Sequence, residues 1–251
     1  MKNDVKHIME SVSANLAGTA NHAYFEEMKN RYIFLIEQIT RRTKSGAVLD
    51  VGASPGIFTR IMQMSGYDVV GLDLYPHKRF PAAGAGEDRN IFIENEIKVV
   101  SADIVNQPFP FSDSTFDFVT MNETIEHLIG SPMQCISEIK RVLKPGGLLF
   151  LSTPNVATLA NRLRFASGKN IYTPMETLIN VQAYKLHNRE YTMADLEYLV
   201  AKAGFSVVEK KWLNLGGENV TGLKRTARSV YYLITNINSH WKSNLFLIAK
   251  S

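Results

Sequence analysis

Apolar positions recur along this chain in two rhythms, a spacing near 3.6 residues and short unbroken runs, and together they predict alternating helices and strands. In residues 24–42, Phe25, Met28, Tyr32, Leu35, Ile36 and Ile39 share one helical face, with Glu26 and Glu27 early and Arg41-Arg42 late. That pattern predicts an amphipathic helix whose end charges suit its dipole. Residues before Asn21 are polar and weakly patterned and read as loosely held. Residues 48–51 form a short, β-branched apolar run, as expected of a strand covered on both faces. A glycine-bounded turn follows, then a helix over 57–65 stopped by Gly66 and a second strand over 68–72 ending at Asp73.

Residues 75–95 are rich in proline, glycine and charge and read as a surface excursion. Further strands are predicted at 97–101, 116–121 and 148–152, with a helix over 132–143 closed by Lys144-Pro145-Gly146-Gly147. Residues 156–188 break the rhythm and are too long for a simple connection, so they read as a cap over the mouth of the sheet. Thr192 and Asp195 make a capping box for a helix running to Ala203. Strands at 205–212 and 244–250 close the chain, with a basic amphipathic segment at 223–234 between them. The whole predicts an α/β fold with seven strands, mostly parallel, and antiparallel pairing at one edge.

Bulk properties narrow the classes. With 251 residues, 45% of them hydrophobic, the chain can bury a large core. We read 1–251 as one domain, with an N-terminal helical segment over 1–45. The lysines and arginines behind the net charge of +4 are scattered except around Arg41-Arg42, Lys210-Lys211 and Lys224-Arg225-Arg228, which fits a solvated surface better than a nucleic-acid footprint. The single cysteine, Cys135, sits among Met133, Ile136 and Ile139 and reads as a small core residue. No apolar run approaches the ~20 residues of a membrane span, so a cytoplasmic location is expected and the sequons at Asn122 and Asn219 are chance matches.

The first strand ends at Asp50, and the loop beyond it, Val51-Gly52-Ala53-Ser54-Pro55-Gly56, is the first candidate binding site, because ligands of open α/β sheets bind outside the carboxyl ends of the strands. Its D-x-G-x-x-x-G spacing differs from the G-x-G-x-x-G that places a pyrophosphate on a helix N-terminus. An acidic strand end would repel phosphate but suits a ligand with a cationic amino group. Asp73, 21 residues beyond Gly52, stands where an acid can accept ribose hydroxyls.

These motifs, with Gly71-Leu72-Asp73-Leu74, Ala102-Asp103-Ile104 and Leu143-Lys144-Pro145-Gly146-Gly147, occur in the order in which they stand in the class I S-adenosylmethionine-dependent methyltransferases, which the chain resembles from Tyr24 onward. The resemblance implies a Rossmann-like, doubly wound sheet and a cofactor site built from Asp50, Gly52, Ala53, Gly56, Asp73, Leu74, Asp103, Ile104 and Asn122. Within it, Asp103 falls to the adenine amino group, with Ile104 as an apolar neighbour.

Glu123, Glu126 and His127 follow the fourth strand at i, i+3 and i+4, which on a helical turn would place them on one side. With His187 they could bind a divalent cation. The same E-x-x-E-H with a later histidine resembles the ubiquinone-pathway O-methyltransferases and the small-RNA 3′-end 2′-O-methyltransferases, where the cluster is implied to hold a metal at the acceptor hydroxyl. Mixed oxygen and imidazole donors suit Mn²⁺, Fe²⁺ or Zn²⁺ somewhat better than Mg²⁺. Two other readings stay open: His127, with Glu126, as metal-free acid–base groups, or carboxylates that only favour a helix start. The expected activity is O-methylation of a small-molecule or carbohydrate-type acceptor. The alternatives are RNA 2′-O-methylation, for which no aromatic-interleaved basic stripe speaks, and a non-catalytic S-adenosylmethionine-binding subunit.

Overall fold

The structure is a computed structural model that describes residues 2–74, 91–180, 186–215 and 222–251. Seven strands, β1 (Ala47–Val51), β2 (Asp68–Asp73), β3 (Val99–Ser101), β4 (Phe116–Asn122), β5 (Leu143–Pro154), β6 (Ser206–Leu213) and β7 (Asn244–Lys250), make one sheet. Their order is β3-β2-β1-β4-β5-β7-β6. The pairs among β1 to β5 are parallel, and β7 runs antiparallel to both β5 and β6. The antiparallel pairing expected at one edge is thus made by β7, one strand in, with β6 outermost.

Strands β1, β4 and β7 are mostly apolar and buried along most of their length because both faces are covered. One core gathers Leu49, Met121, Leu149 and Leu247 against α5 (Met133–Val142) and α8 (Met193–Lys202). The other sets Val48, Phe118, Phe150 and Phe246 against α1 (Lys2–Leu16), α2 (Ala20–Thr40) and α3 (Ile57–Met64). Cys135 is fully buried in the first core, and the Thr192–Asp195 capping box is formed in full.

Two expectations change, and two segments left without assigned elements are filled in. The residues before Asn21 are not loose: α1 buries Met9, Val12 and Leu16, spaced i, i+3 and i+7, against the α2–α3 side of the sheet. Most other positions of α1 are polar, so composition hides this narrow stripe. The Lys144-Pro145-Gly146-Gly147 turn does not precede β5 but bulges within it, the register jumping from Phe116↔Leu143 to Phe118↔Leu148. The 156–188 insert carries two helices, α6 (Leu159–Ala166) and α7 (Met175–Asn180). Residues 75–90, most of the expected surface excursion, lie outside the described residues, and a four-residue helix, α4 (Ile91–Glu94), follows them.

Candidate active site

The carboxyl ends of β1, β2 and β4 meet around the glycine loop. Gly52 and Ala53 donate their backbone N–H groups to Leu72 O at 2.8 and 3.3 Å, which ties the loop to β2. Gly52 has φ +76, and a Cβ there would lie 2.2 Å from Thr124 Oγ1, so only glycine fits. The Asp73 carboxylate accepts the Ser54 N–H at 3.0 Å, joining the second acidic strand end to the same loop.

Asp50 lies beneath, 3% exposed, and accepts hydrogen bonds from the Thr59 and Thr120 hydroxyls, both at 2.7 Å. Burial pushes its pKa up to about 6; the two hydroxyls work against that rise and Asp73 adds to it. The carboxylate therefore pins β1 to α3 and β4 while keeping negative charge under the loop at neutral pH.

A pocket opens here, lined by Gly52, Ala53, Ser54, Asn122, Glu123 and Arg31. Arg31 and its neighbours Tyr24, Met28 and Tyr32 come from α2, which sequence reading assigned no part in the site. The signal was present: Arg31 is a cation one position before Tyr32 on the apolar face. It is 8% exposed, and its Nη1 lies 3.1 Å from Glu123 Oε2. Arg31 Nε and Asn122 Nδ2 are buried and have no hydrogen-bond partner among the described residues. Two orphaned donors beside one pocket are costly unless an acceptor arrives with a ligand.

Leu74, just past β2, is 39% exposed, while Ile104 is 8% exposed. The Asp103 carboxylate closes its own loop, accepting from the Val105 and Asn106 backbone N–H groups and from Asn106 Nδ2. The Asn106 side chain, before the backbone bonds, holds it below the usual carboxylate range.

Glu123, Glu126 and His127 do not share a helical face. Glu123 takes φ +49, and only Ile125–His127 forms a short 3₁₀ turn. Glu123 faces Arg31 and the Ser152 hydroxyl, 3.2 Å from its Oε1. Glu126, His127 and His187 instead converge, one ligand atom from each lying within 4.8 Å of the others. The 186–189 segment makes this possible: the Asn188 and Arg189 N–H groups donate to Glu126 O, and Asn188 Nδ2 to His127 O.

Hydrogen bonding sets the tautomers. His127 Nδ1 is 3.0 Å from Leu186 O, a pure acceptor, so Nδ1 carries the proton and Nε2 keeps its lone pair. His187 Nδ1 is 3.0 Å from Glu190 Oε1, which leaves its Nε2 free in the neutral form. Burial, then the neighbouring His187, lowers the pKa of His127, whereas the Glu190 bond raises that of His187. Glu126 is 1% exposed and accepts from the Thr153 hydroxyl at 2.9 Å. Burial, with Glu123 adding repulsion, pushes its carboxyl up to about 8. Such a group wants a proton or a cation at neutral pH.

Comparison with known proteins agrees with this architecture. Residues 21–210 match a family model described as a methyltransferase domain. The chain belongs to the class I S-adenosylmethionine-dependent methyltransferases. Over 108 residues it is 32% identical to a ubiquinone biosynthesis O-methyltransferase of Actinobacillus pleuropneumoniae, covering 43% of this chain and 45% of that protein. The chain spans about half the length of the curated relatives it matches. A crystal structure of an S-adenosylmethionine-dependent methyltransferase from Archaeoglobus fulgidus shares the fold, with a TM-score of 0.58 at 18% identity over 92% of this chain and 100% of that one. So does the Haemonchus contortus phosphoethanolamine N-methyltransferase 2 in complex with S-adenosyl-L-methionine, with a TM-score of 0.56 at 17% identity over 88% and 52%.

Proposed function

We propose that this methyltransferase acts on a hydroxyl of a small-molecule or carbohydrate-type acceptor beside Glu126, His127 and His187, with a divalent cation held by those three residues. The observation that carries the reading is their convergence from separate stretches of chain within reach of one ion. The donor set fits a cation: a buried carboxyl that resists bare ionisation, and two imidazoles whose Nδ1 atoms are engaged by oxygens. Such outer hydrogen bonds orient metal-ligating histidines. Glu123, committed to Arg31 and Ser152, contributes charge at the margin of the group.

S-adenosylmethionine supplies a methyl group on a sulfonium, a good leaving group. A cation held by Glu126, His127 and His187 would supply Lewis acidity at the acceptor hydroxyl. The chain does the positioning. Asp50 sets negative charge beneath the cofactor's amino group, while the backbone of Gly52, Ala53 and Gly56 admits close approach. Arg31 and Asn122 offer their orphaned donors to the cofactor's carboxylate. Asp73 takes the ribose hydroxyls, with Leu74, Asp103 and Ile104 on the adenine side. In transfer a carbon–oxygen bond forms, the carbon–sulfur bond breaks, and the hydroxyl proton leaves toward Glu126, because the Nε2 lone pair of His127 would be given to the cation while its Nδ1 proton is held by Leu186 O.

The test is incubation with radiolabelled S-adenosylmethionine and a panel of hydroxylated acceptors, with and without chelator and added Mn²⁺. Label on an acceptor oxygen, lost on chelation and restored by Mn²⁺, is expected. Transfer indifferent to chelator, with Glu126→Ala near wild type, would overturn the cation, and label found only on nitrogen would overturn the hydroxyl acceptor.

A further inference from the structure

Ten of the seventeen exposed large apolar side chains among the described residues fall in two segments, 160–180 and 222–237. The most exposed are Phe165 at 72%, Tyr172 at 76%, Ile179 at 73% and Ile237 at 79%. Neither α6 nor α7 buries a single residue. The helix α9 (Gly222–Ile237) places Val230, Leu233, Ile234 and Ile237 at i, i+3, i+4 and i+7, all exposed, while Thr235 on its other side is fully buried. A surface helix in water does the reverse.

These elements share one rim. The insert leaves the sheet at the end of β5, and α9 connects the end of β6 to the start of β7. Those three strand ends are neighbours in register, through Pro154↔Asn244 and Leu213↔Asn244. Asn155 Nδ2 fastens the roots together, donating to His240 O and Lys242 O. It is the rim onto which the candidate active site opens.

Charge is concentrated on the same segments. Among the described residues of these segments, Arg162, Arg164, Lys169, Arg225, Arg228 and Lys242 stand against one acidic residue, Glu176, in a chain whose net charge is only +4. Two copies pairing through so basic a face would set like charges together. Exposed apolar side chains interleaved with arginine and lysine, on helices that do not span, are suited to the interface of an anionic bilayer.

We propose that α6, α7 and α9 form a face that docks this methyltransferase on an anionic membrane surface, with the active-site rim turned toward the lipid. The test is sedimentation of the full chain with vesicles of phosphatidylcholine alone and of phosphatidylcholine mixed with phosphatidylglycerol. Binding to the mixed vesicles only, weakened by high salt, is expected. Leu233→Ser combined with Ile237→Ser should weaken it by about tenfold or more, since each buried methylene counts toward interfacial binding. Phe165→Ser, on a separate element, gives an independent loss should the α9 variant fold poorly, and S-adenosylmethionine binding checks that both variants are intact. Absence of vesicle binding, equal binding to both vesicles, or wild-type binding by both variants would overturn the proposal. Concentration-dependent self-association lost in the same variants, without vesicle binding, would assign the face to a second copy instead.

Discussion

Replacing Glu126 by glutamine should stabilise the cation-free protein while abolishing methyl transfer. The carboxyl is 1% exposed and its pKa is pushed from 4.5 up to about 8. The sign follows from linkage. The unfolded chain loses this proton near pH 4.5, whereas the folded chain keeps it until about pH 8. Stability is therefore unaffected below the lower value and falls as pH rises through the window between them. The cost grows by about 1.4 kcal/mol per pH unit, reaching about 3 kcal/mol at pH 7.

A glutamine carries no such cost. Its amide oxygen can still accept the Thr153 hydroxyl, 2.9 Å from the present carboxylate oxygen. Its NH₂ group needs a partner that the site does not guarantee, which costs about 1–3 kcal/mol if unmet. With Glu123 sharing in the electrostatics, a net gain of about 1–2 kcal/mol at pH 7 is expected, shrinking as pH falls toward 4.5, where the wild-type carboxyl is neutral and the glutamine amide alone sets the difference. Urea denaturation of both proteins in chelator, over pH about 5 to about 8, measures it. A difference that does not change with pH, or a variant less stable than wild type at the alkaline end, would refute the reasoning.

Other residues give separate tests. Gly52→Ala sets a Cβ 2.2 Å from Thr124 Oγ1 at φ +76, so calorimetry should show S-adenosylmethionine binding lost, or the chain melting well below wild type. Arg31→Met should weaken cofactor affinity by about 10-fold to 100-fold, the worth of a hydrogen bond to a charged group, and Arg31→Lys should not restore it fully because a lysine lacks the guanidinium fork. Asp50, its pKa pushed up to about 6, should let cofactor affinity fall with acidification, by roughly tenfold per pH unit below that value, in a titration that Asp50→Asn flattens.

The sheet was legible because its signals are local. Val48 to Val51 and Val69 to Leu72 are short, largely apolar runs between turns, and Thr192 with Asp195 fixes a helix start three residues apart. What the sequence hid depends on partners far along the chain. The three buried positions of α1 acquire meaning only when α2 and α3 lie beside them. Arg31 reads as one more polar residue of a helix until Glu123, from the end of β4, meets it. Helical spacing placed Glu123 with Glu126 and His127, but its left-handed backbone turns it to Arg31 instead. The place of His187 is set by the hydrogen bonds of the 186–189 segment to Glu126 and His127, which no local pattern announces.

The most direct measurement for the metal-assisted reading is titration of Mn²⁺ into chelator-treated protein, followed by calorimetry or electron paramagnetic resonance, for wild type, His127→Ala and His187→Ala. One ion per wild-type chain is predicted, with affinity falling by well over about 10-fold in each variant, because loss of a ligand should exceed the loss seen for an outer-shell partner. Absence of binding to the wild type, or equal binding by all three proteins, would contradict it.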